Sequence, residues 1–185
     1  MALTPSNMLP LGTKAPDFRL ADTVTERMIG LSDFRFNKAL VVMFICNHCP
    51  FVKHMKKELA DFGRHMSELG VGVVAISSND VITHPGDHPT LMKKDAEDFG
   101  YTFPYLFDET QEVAKSFQAA CTPDFYLFDG QQKLVYRGQF DASRPSNSVP
   151  VTGDDLRAAV LAVLSGKPVS QSQQPSIGCN IKWRQ

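Results

Sequence analysis

Residues 38–77 read KALVVMFICNHCPFVKHMKKELADFGRHMSELGVGVVAIS, and the changes of pattern inside them decide the fold. Lys38 to Ile45 (KALVVMFI) is an unbroken apolar run of strand length, as a central strand covered on both faces requires. Then the period changes. Phe51, Val52, Met55, Leu59, Phe62, Met66 and Leu69 recur at steps of mostly three and four, with Lys53, Lys56, Lys57, Glu58, Asp61 and Arg64 filling the other side. That pattern predicts an amphipathic helix with a solvated charged face, ended by Gly70. Val71 to Ser77 (VGVVAIS) is a second buried strand, completing a β-α-β unit with a right-handed crossover.

Strand and helix alternate outside this unit too, so the fold class is α/β with a central mixed sheet flanked by helices. Asp17 to Leu20 and Arg27 to Gly30 are short strand candidates, and Ser32 is placed to cap a turn. Asn79 to Pro89 is a loop by its Pro, Gly and Asp content. A helix follows from Thr90, its expected N-cap, to Phe99, then a strand at Tyr105 to Phe107 and a helix over about Glu109 to Ala119. Phe125 to Phe128, the turn Asp129-Gly130 and Lys133 to Gln139 predict a hairpin. Asp154-Asp155 open a last helix, where two carboxylates suit the positive helix end. Residues 166–185 form an extended tail, and Trp183 near its end predicts that the tail docks.

The chain has 185 residues, 43% of them hydrophobic and 13 of them Phe, which fits one domain over 1–185 and excludes disorder. Charge argues against a nucleic-acid partner: 19 Lys and Arg meet 20 Asp and Glu, with no long basic run. No membrane span is expected, since no stretch approaches the roughly 20 apolar residues one needs. Met1 to Thr13 holds no charged n-region or long apolar h-region, so the expected compartment is the cytoplasm. Four cysteines are too few for a disulfide scaffold, and close spacing there points to catalysis or metal binding.

Cys46-Asn47-His48-Cys49 joins the first buried strand to the amphipathic helix. A helix N-terminus offers unpaired N–H groups and the positive end of the macrodipole, and both stabilise a thiolate. Lowering a thiol's pKa raises its reactive fraction. Two intervening residues let the second sulfur reach the first and release a mixed disulfide. Pro50 tolerates a first helical turn and marks its start. An imidazolium at His48 would hold the neighbouring thiolate further. The expectation is therefore a thiol–disulfide oxidoreductase with catalytic Cys46, Cys49 and His48, in which Cys46 sits at the exposed end of the motif as nucleophile. Its partners are thiols or disulfides of proteins or small molecules, and it needs no cofactor and no metal.

These residues, with three further runs, resemble a known family over nearly the full length. Gly12 to Phe18 (GTKAPDF) is similar to the opening motif of thioredoxin-fold proteins of the redoxin, or peroxiredoxin-like, branch. Cys46 to Val52 (CNHCPFV), Cys121 to Phe125 (CTPDF) and Gly178 to Trp183 (GCNIKW) together resemble a bacterial alkyl-hydroperoxide-reductase/thiol-specific-antioxidant-like subfamily. The resemblance implies a thioredoxin-like fold with an N-terminal extension and a peroxiredoxin-like insertion over Asn79 to Phe107. It also implies a cis Pro123 facing Cys46, with the Thr122 backbone pairing an extended substrate. Two departures bear on activity. The peroxiredoxin pattern P-x-x-x-T-x-x-C is missing, and with it the hydroxyl that orients a peroxide. Ile45 and Leu40 stand where thioredoxins carry a Trp and a buried Asp, so no carboxylate is evident to assist Cys49.

Cys121 and Cys179 are candidate accessory thiols. Each suits an ordinary buried cysteine, an extra resolving thiol, or a mutual pair if their Cα atoms come within about 7 Å. His84 and His88 flank a Pro-Gly-Asp turn and read as solvated. Two other readings stay open: a thiol peroxidase using Cys46 or Cys49, and a protein holding copper(I) or zinc through Cys46, Cys49 and a histidine.

Overall fold

The computed structural model describes residues 3–185. Strand β4 (Ala39–Phe44) is buried at every residue, as its unbroken apolar run predicts. It is an interior strand of a seven-stranded sheet. Its parallel neighbour is β5 (Gly72–Ser77), which pairs in parallel with β6 (Tyr105–Phe107). Beyond β6, and antiparallel to it, lie β2 (Arg19–Asp22) and then β3 (Met28–Gly30). On the other side β4 pairs antiparallel with β8 (Asp124–Asp129), which forms the expected hairpin with β9 (Leu134–Gly138). The spatial order is β3-β2-β6-β5-β4-β8-β9.

Successive side chains of β4 point to opposite faces, so the strand feeds two cores. Ala39, Val41 and Met43 face helices α1 (Pro50–Glu68), α2 (Pro89–Phe99) and α4 (Asp154–Leu164). Leu40, Val42 and Phe44 face the short α3 (Glu112–Ser116), with Phe18, Phe117 and Ile181. Helix α1 buries Val52, Met55, Leu59, Phe62 and Met66, the stripe its periodicity predicts. Each such side chain stabilises the fold by roughly 1.5–3 kcal/mol. The mixed α/β sheet with flanking helices is thus as the sequence predicts.

Local differences have local causes. Lys56 is not on a solvated face. It is buried, pairs with Asp95 of α2 and donates to the Asn47 carbonyl at 3.3 Å, which fixes the loop between β4 and α1 to both helices. The helix expected over Glu109 to Ala119 is only five residues long. Gln111 and Gln118, both in left-handed backbone conformations, bracket it, and the Asp108 carboxylate accepts the Val113 and Ala114 amides at its start. The cap of α2 is His88 rather than Thr90, because the His88 ring accepts the Thr90 amide at 3.3 Å.

The tail does dock, but not through Trp183, which is 40% exposed. Strand β10 (Ile177–Asn180) inserts between β1 (Leu3–Pro5) and β7 (Cys121–Thr122) in a second, three-stranded antiparallel sheet. Ile181 is buried behind it, and the Lys182 amide donates to Asn79 Oδ1 at 2.8 Å. Among the described residues no helix is long and apolar enough to cross a membrane.

Candidate active site

The chain leaves β4 at Phe44 and enters α1 at Pro50, so residues 45–49 form the turn at the carboxyl end of the central strand. Cys49 is the N-cap of α1 in an extended conformation, and Pro50 follows as the first helical residue. Facing this turn is the Thr122-Pro123 peptide, which is cis. Cys46 Sγ lies 3.4 Å from Thr122 Oγ1 and 3.9 Å from His48 Nδ1. Cys49 Sγ donates to the Thr122 carbonyl at 3.1 Å. All four cysteines are in the thiol form. Cys46 is not at an exposed end: it is 1% exposed and Cys49 0%, because the Thr122 loop and the strand beyond it cover both sulfurs.

The two thiols are pushed in opposite directions. Cys49 is lowered, first by the Cys46 thiol donating to it, against the cost of burial and with help from the Cys179 thiol and the Val52 amide. Cys46 is raised, because its proton is held on that bond, because it is buried, and because the Asp87 carboxylate is close. Sequence reasoning placed the thiolate on Cys46 under His48. The structure sets His48 Nδ1 3.9 Å from the Cys46 sulfur and, closer, 2.6 Å from Asp87 Oδ2.

Asp87 is the residue sequence reasoning missed. It lies in the run Asn79 to Pro89, read as a loop, yet it is fully buried. Its Oδ1 accepts the Asn47 and His48 amides at 2.8 and 3.2 Å, and its Oδ2 accepts Asn79 Nδ2 at 2.8 Å as well as His48. Burial works to raise this carboxyl, but the His48 and Asn79 hydrogen bonds outweigh it and hold the group below its ordinary value. Tyr105 completes the clamp by donating to Asn47 Oδ1 at 3.1 Å. The signal in the sequence was an acid in a His-Pro-Gly-Asp-His turn, where an Asp two residues past a proline readily caps a bend.

The other candidates separate clearly. Thr122 and Pro123 do flank the two sulfurs, but the Thr122 backbone is already paired: Cys179 of β10 stands opposite it. Cys179 Sγ is 3.1 Å from Cys49 Sγ. Cys121 is buried with its Sγ 3.6 Å from the Pro123 carbonyl, and burial pushes its thiol up. His84 stacks on His48 with ring centres 5.2 Å apart, so it belongs to the rim of the site rather than to a free loop. His54 is bonded to Ser143 Oγ at 2.6 Å. As for a metal, one ligand atom from each of Cys46, His48 and Asp87 lies within 4.8 Å of the others. Thiolate and imidazole suit copper(I) or zinc, but His48 Nδ1 is already held by Asp87 at 2.6 Å.

A second buried acid follows the cis proline. Asp124 accepts the Tyr126 hydroxyl at 3.0 Å, and burial pushes its carboxyl up to about 7 despite that bond. The folded value lies above the unfolded one, so this group's contribution to stability is complete below about pH 4 and lost as pH rises through 7. Carboxyl 13C NMR should show Asp124 titrating near neutrality; a midpoint near 4 would contradict the burial argument.

A conserved protein from Geobacillus kaustophilus, known from its crystal structure, is 55% identical, with all of this chain and 97% of that one covered and a TM-score of 0.97. The thiol-disulfide oxidoreductase ResA of Geobacillus kaustophilus is 26% identical over 73% of this chain and 74% of that protein. The thioredoxin domain of a thiol-disulfide oxidoreductase from Bacteroides vulgatus shares the fold, at 19% identity, with 71% of this chain and 89% of that one covered and a TM-score of 0.58. The fold is thioredoxin-like, and, with residues 11–137 matching its family model, the chain belongs to the AhpC/TSA family.

Proposed function

We propose that this protein is a thiol–disulfide oxidoreductase in which Cys46 and Cys49 cycle between dithiol and disulfide. The observation that carries this reading is the pair of buried sulfurs at the N-terminus of α1, set 3.4 and 3.1 Å from Thr122 just before the cis Pro123. Its likeness to the ResA oxidoreductase supports a thioredoxin-like redox function.

The pair gives up a proton more readily at Cys49 than at Cys46. Moving the remaining proton from Cys46 to Cys49 leaves Cys46 as the thiolate. Cys46 then attacks a disulfide of a protein or small-molecule partner, and the partner's first sulfur leaves as a thiolate. In the mixed disulfide, Cys49 keeps the Val52 amide and the Cys179 thiol as donors, so it loses its proton readily. It attacks Cys46 Sγ and expels the partner's second sulfur. Thr122 Oγ1 and the half-buried His48 and His84 rings border the path a partner takes to Cys46.

Cys46→Ser should reduce exchange with an oxidised dithiol substrate by at least about a thousandfold, since no other sulfur replaces the attacking one. Cys49→Ser should accumulate the mixed disulfide at Cys46, visible as an added mass on intact protein. Full exchange activity in Cys46→Ser would reject the assignment.

A further inference from the structure

The tail strand sets a third sulfur against the pair. Cys179 Sγ lies 3.1 Å from Cys49 Sγ, and Cys179 is buried. Its place is fixed from both sides, opposite Leu3 of β1 and Thr122 of β7. Ser176 Oγ donates to the Pro123 carbonyl at 2.6 Å before it, and the Ile181 amide donates to the Ala120 carbonyl at 3.1 Å after it. An extended segment carrying a cysteine, paired with the residue before the cis proline, is the arrangement expected of a bound thiol substrate. Here the chain supplies that segment itself. Cys121 offers a contrast: it neighbours Thr122 in β7, so alternation sends its side chain to the opposite side of the strand.

We infer that Cys179 is a third redox cysteine, which takes over the disulfide of the Cys46–Cys49 pair by attacking Cys49 Sγ. This rests on the dithiol–disulfide reading above. The Cys179 thiolate forms a bond to Cys49 Sγ, the Cys46–Cys49 bond breaks, and Cys46 leaves as a thiolate that takes up the proton Cys179 gave. Cys179 sulfur is oxidised and Cys46 sulfur reduced. One disulfide is present before and after, so no further oxidant enters. The oxidising equivalent then sits inside the protein, between α1 and β10, while Cys46 is again a thiol able to meet a second partner.

The acidity of Cys179 follows the same cycle. In the dithiol state burial, the hydrogen bond with Cys49 and the Cys49 charge push it up to about 12, with Lys182 pulling the other way. Two of those upward influences come from Cys49 and vanish once Cys49 is in a disulfide. Cys179 thus becomes a better nucleophile when its target forms. Closing the gap to a bond takes a shift of only about 1 Å.

The test oxidises the full-length chain with glutathione disulfide, stops exchange with acid and a thiol-blocking reagent, and maps disulfides on peptides without reduction. In wild type, a Cys46–Cys49 disulfide should appear first and a Cys49–Cys179 disulfide after it. Cys121→Ser should behave the same way. Cys179→Ser should stop at Cys46–Cys49. As Cys49–Cys179 appears in wild type, Cys179 alkylation should fall at least about tenfold. If Cys179 stays fully alkylated while wild type holds Cys46–Cys49, the third-cysteine role is overturned and the oxidoreductase reading stands. A wild type that never forms Cys46–Cys49 overturns both.

Discussion

Gly178→Ala is expected to lower the melting temperature by about 6–12 °C and to unhook Cys179 from Cys49. A Cβ built on Gly178 would stand 2.0 Å from the Thr122 carbonyl oxygen and 3.2 Å from Pro123 Cδ. Both neighbours belong to the rigid loop that faces the sulfurs, so neither side chain rotation nor a small slide makes room. Strand β10 has to move away from β7. Overpacking of this kind costs about 3 kcal/mol, which corresponds to the stated shift for a chain of this size. The chemistry should respond as well. With β10 displaced, Cys49 loses the Cys179 thiol that helps lower it, and its alkylation midpoint should rise. Scanning calorimetry and an iodoacetamide pH profile check both points. An unchanged melting temperature would mean that β10 is not held against Thr122 as described.

Asp87→Asn is expected to cost about 3 kcal/mol in stability and to lower the alkylation midpoint of Cys46. The carboxylate is fully buried and gathers four donors from Asn47, His48 and Asn79. An amide keeps one acceptor oxygen for the two backbone N–H groups. Its nitrogen then faces the His48 and Asn79 donors, which leaves a buried donor unpaired. Removing the charge also removes one of the influences that raise Cys46. The two effects therefore run in opposite directions, toward lower stability but greater acidity. Denaturant unfolding reads the first and alkylation of Cys46 against pH reads the second. A Cys46 midpoint that rises or stays in place would show that Asp87 does not act on the sulfur.

The parts of the site that were legible in the sequence are those written in local pattern. An all-apolar strand, a Cys-x-x-Cys turn ending in Pro50 and a helical stripe from Val52 to Met66 need only nearest neighbours to read, and the structure has them where the pattern puts them. What the sequence hid depends on contacts across long stretches of chain. Nothing near Gly178 announces pairing with Thr122, since a four-residue strand carries little periodicity and its register is set by β1 and β7. Asp87 and Lys56 were hidden for a related reason: polar and charged residues are ordinarily exposed, and only the folded chain supplies the partners that make their burial tolerable. The helix predicted over Glu109 to Ala119 was shortened because Gln111 turns inward to bond the Ser78 and Lys182 carbonyls, an interaction propensity does not contain.

The most direct measurement is a glutathione redox titration of the full-length Cys179→Ser chain, with Cys46 and Cys49 each read by alkylation and mass spectrometry. The substitution isolates the pair from the third sulfur. Cys46 and Cys49 should lose alkylation together as a two-electron couple, with a midpoint between about −270 and −120 mV, the span of known dithiol oxidoreductases. If both stay alkylated across that range, or respond only after a chelator is added, the pair is not a redox couple and the oxidoreductase reading is contradicted.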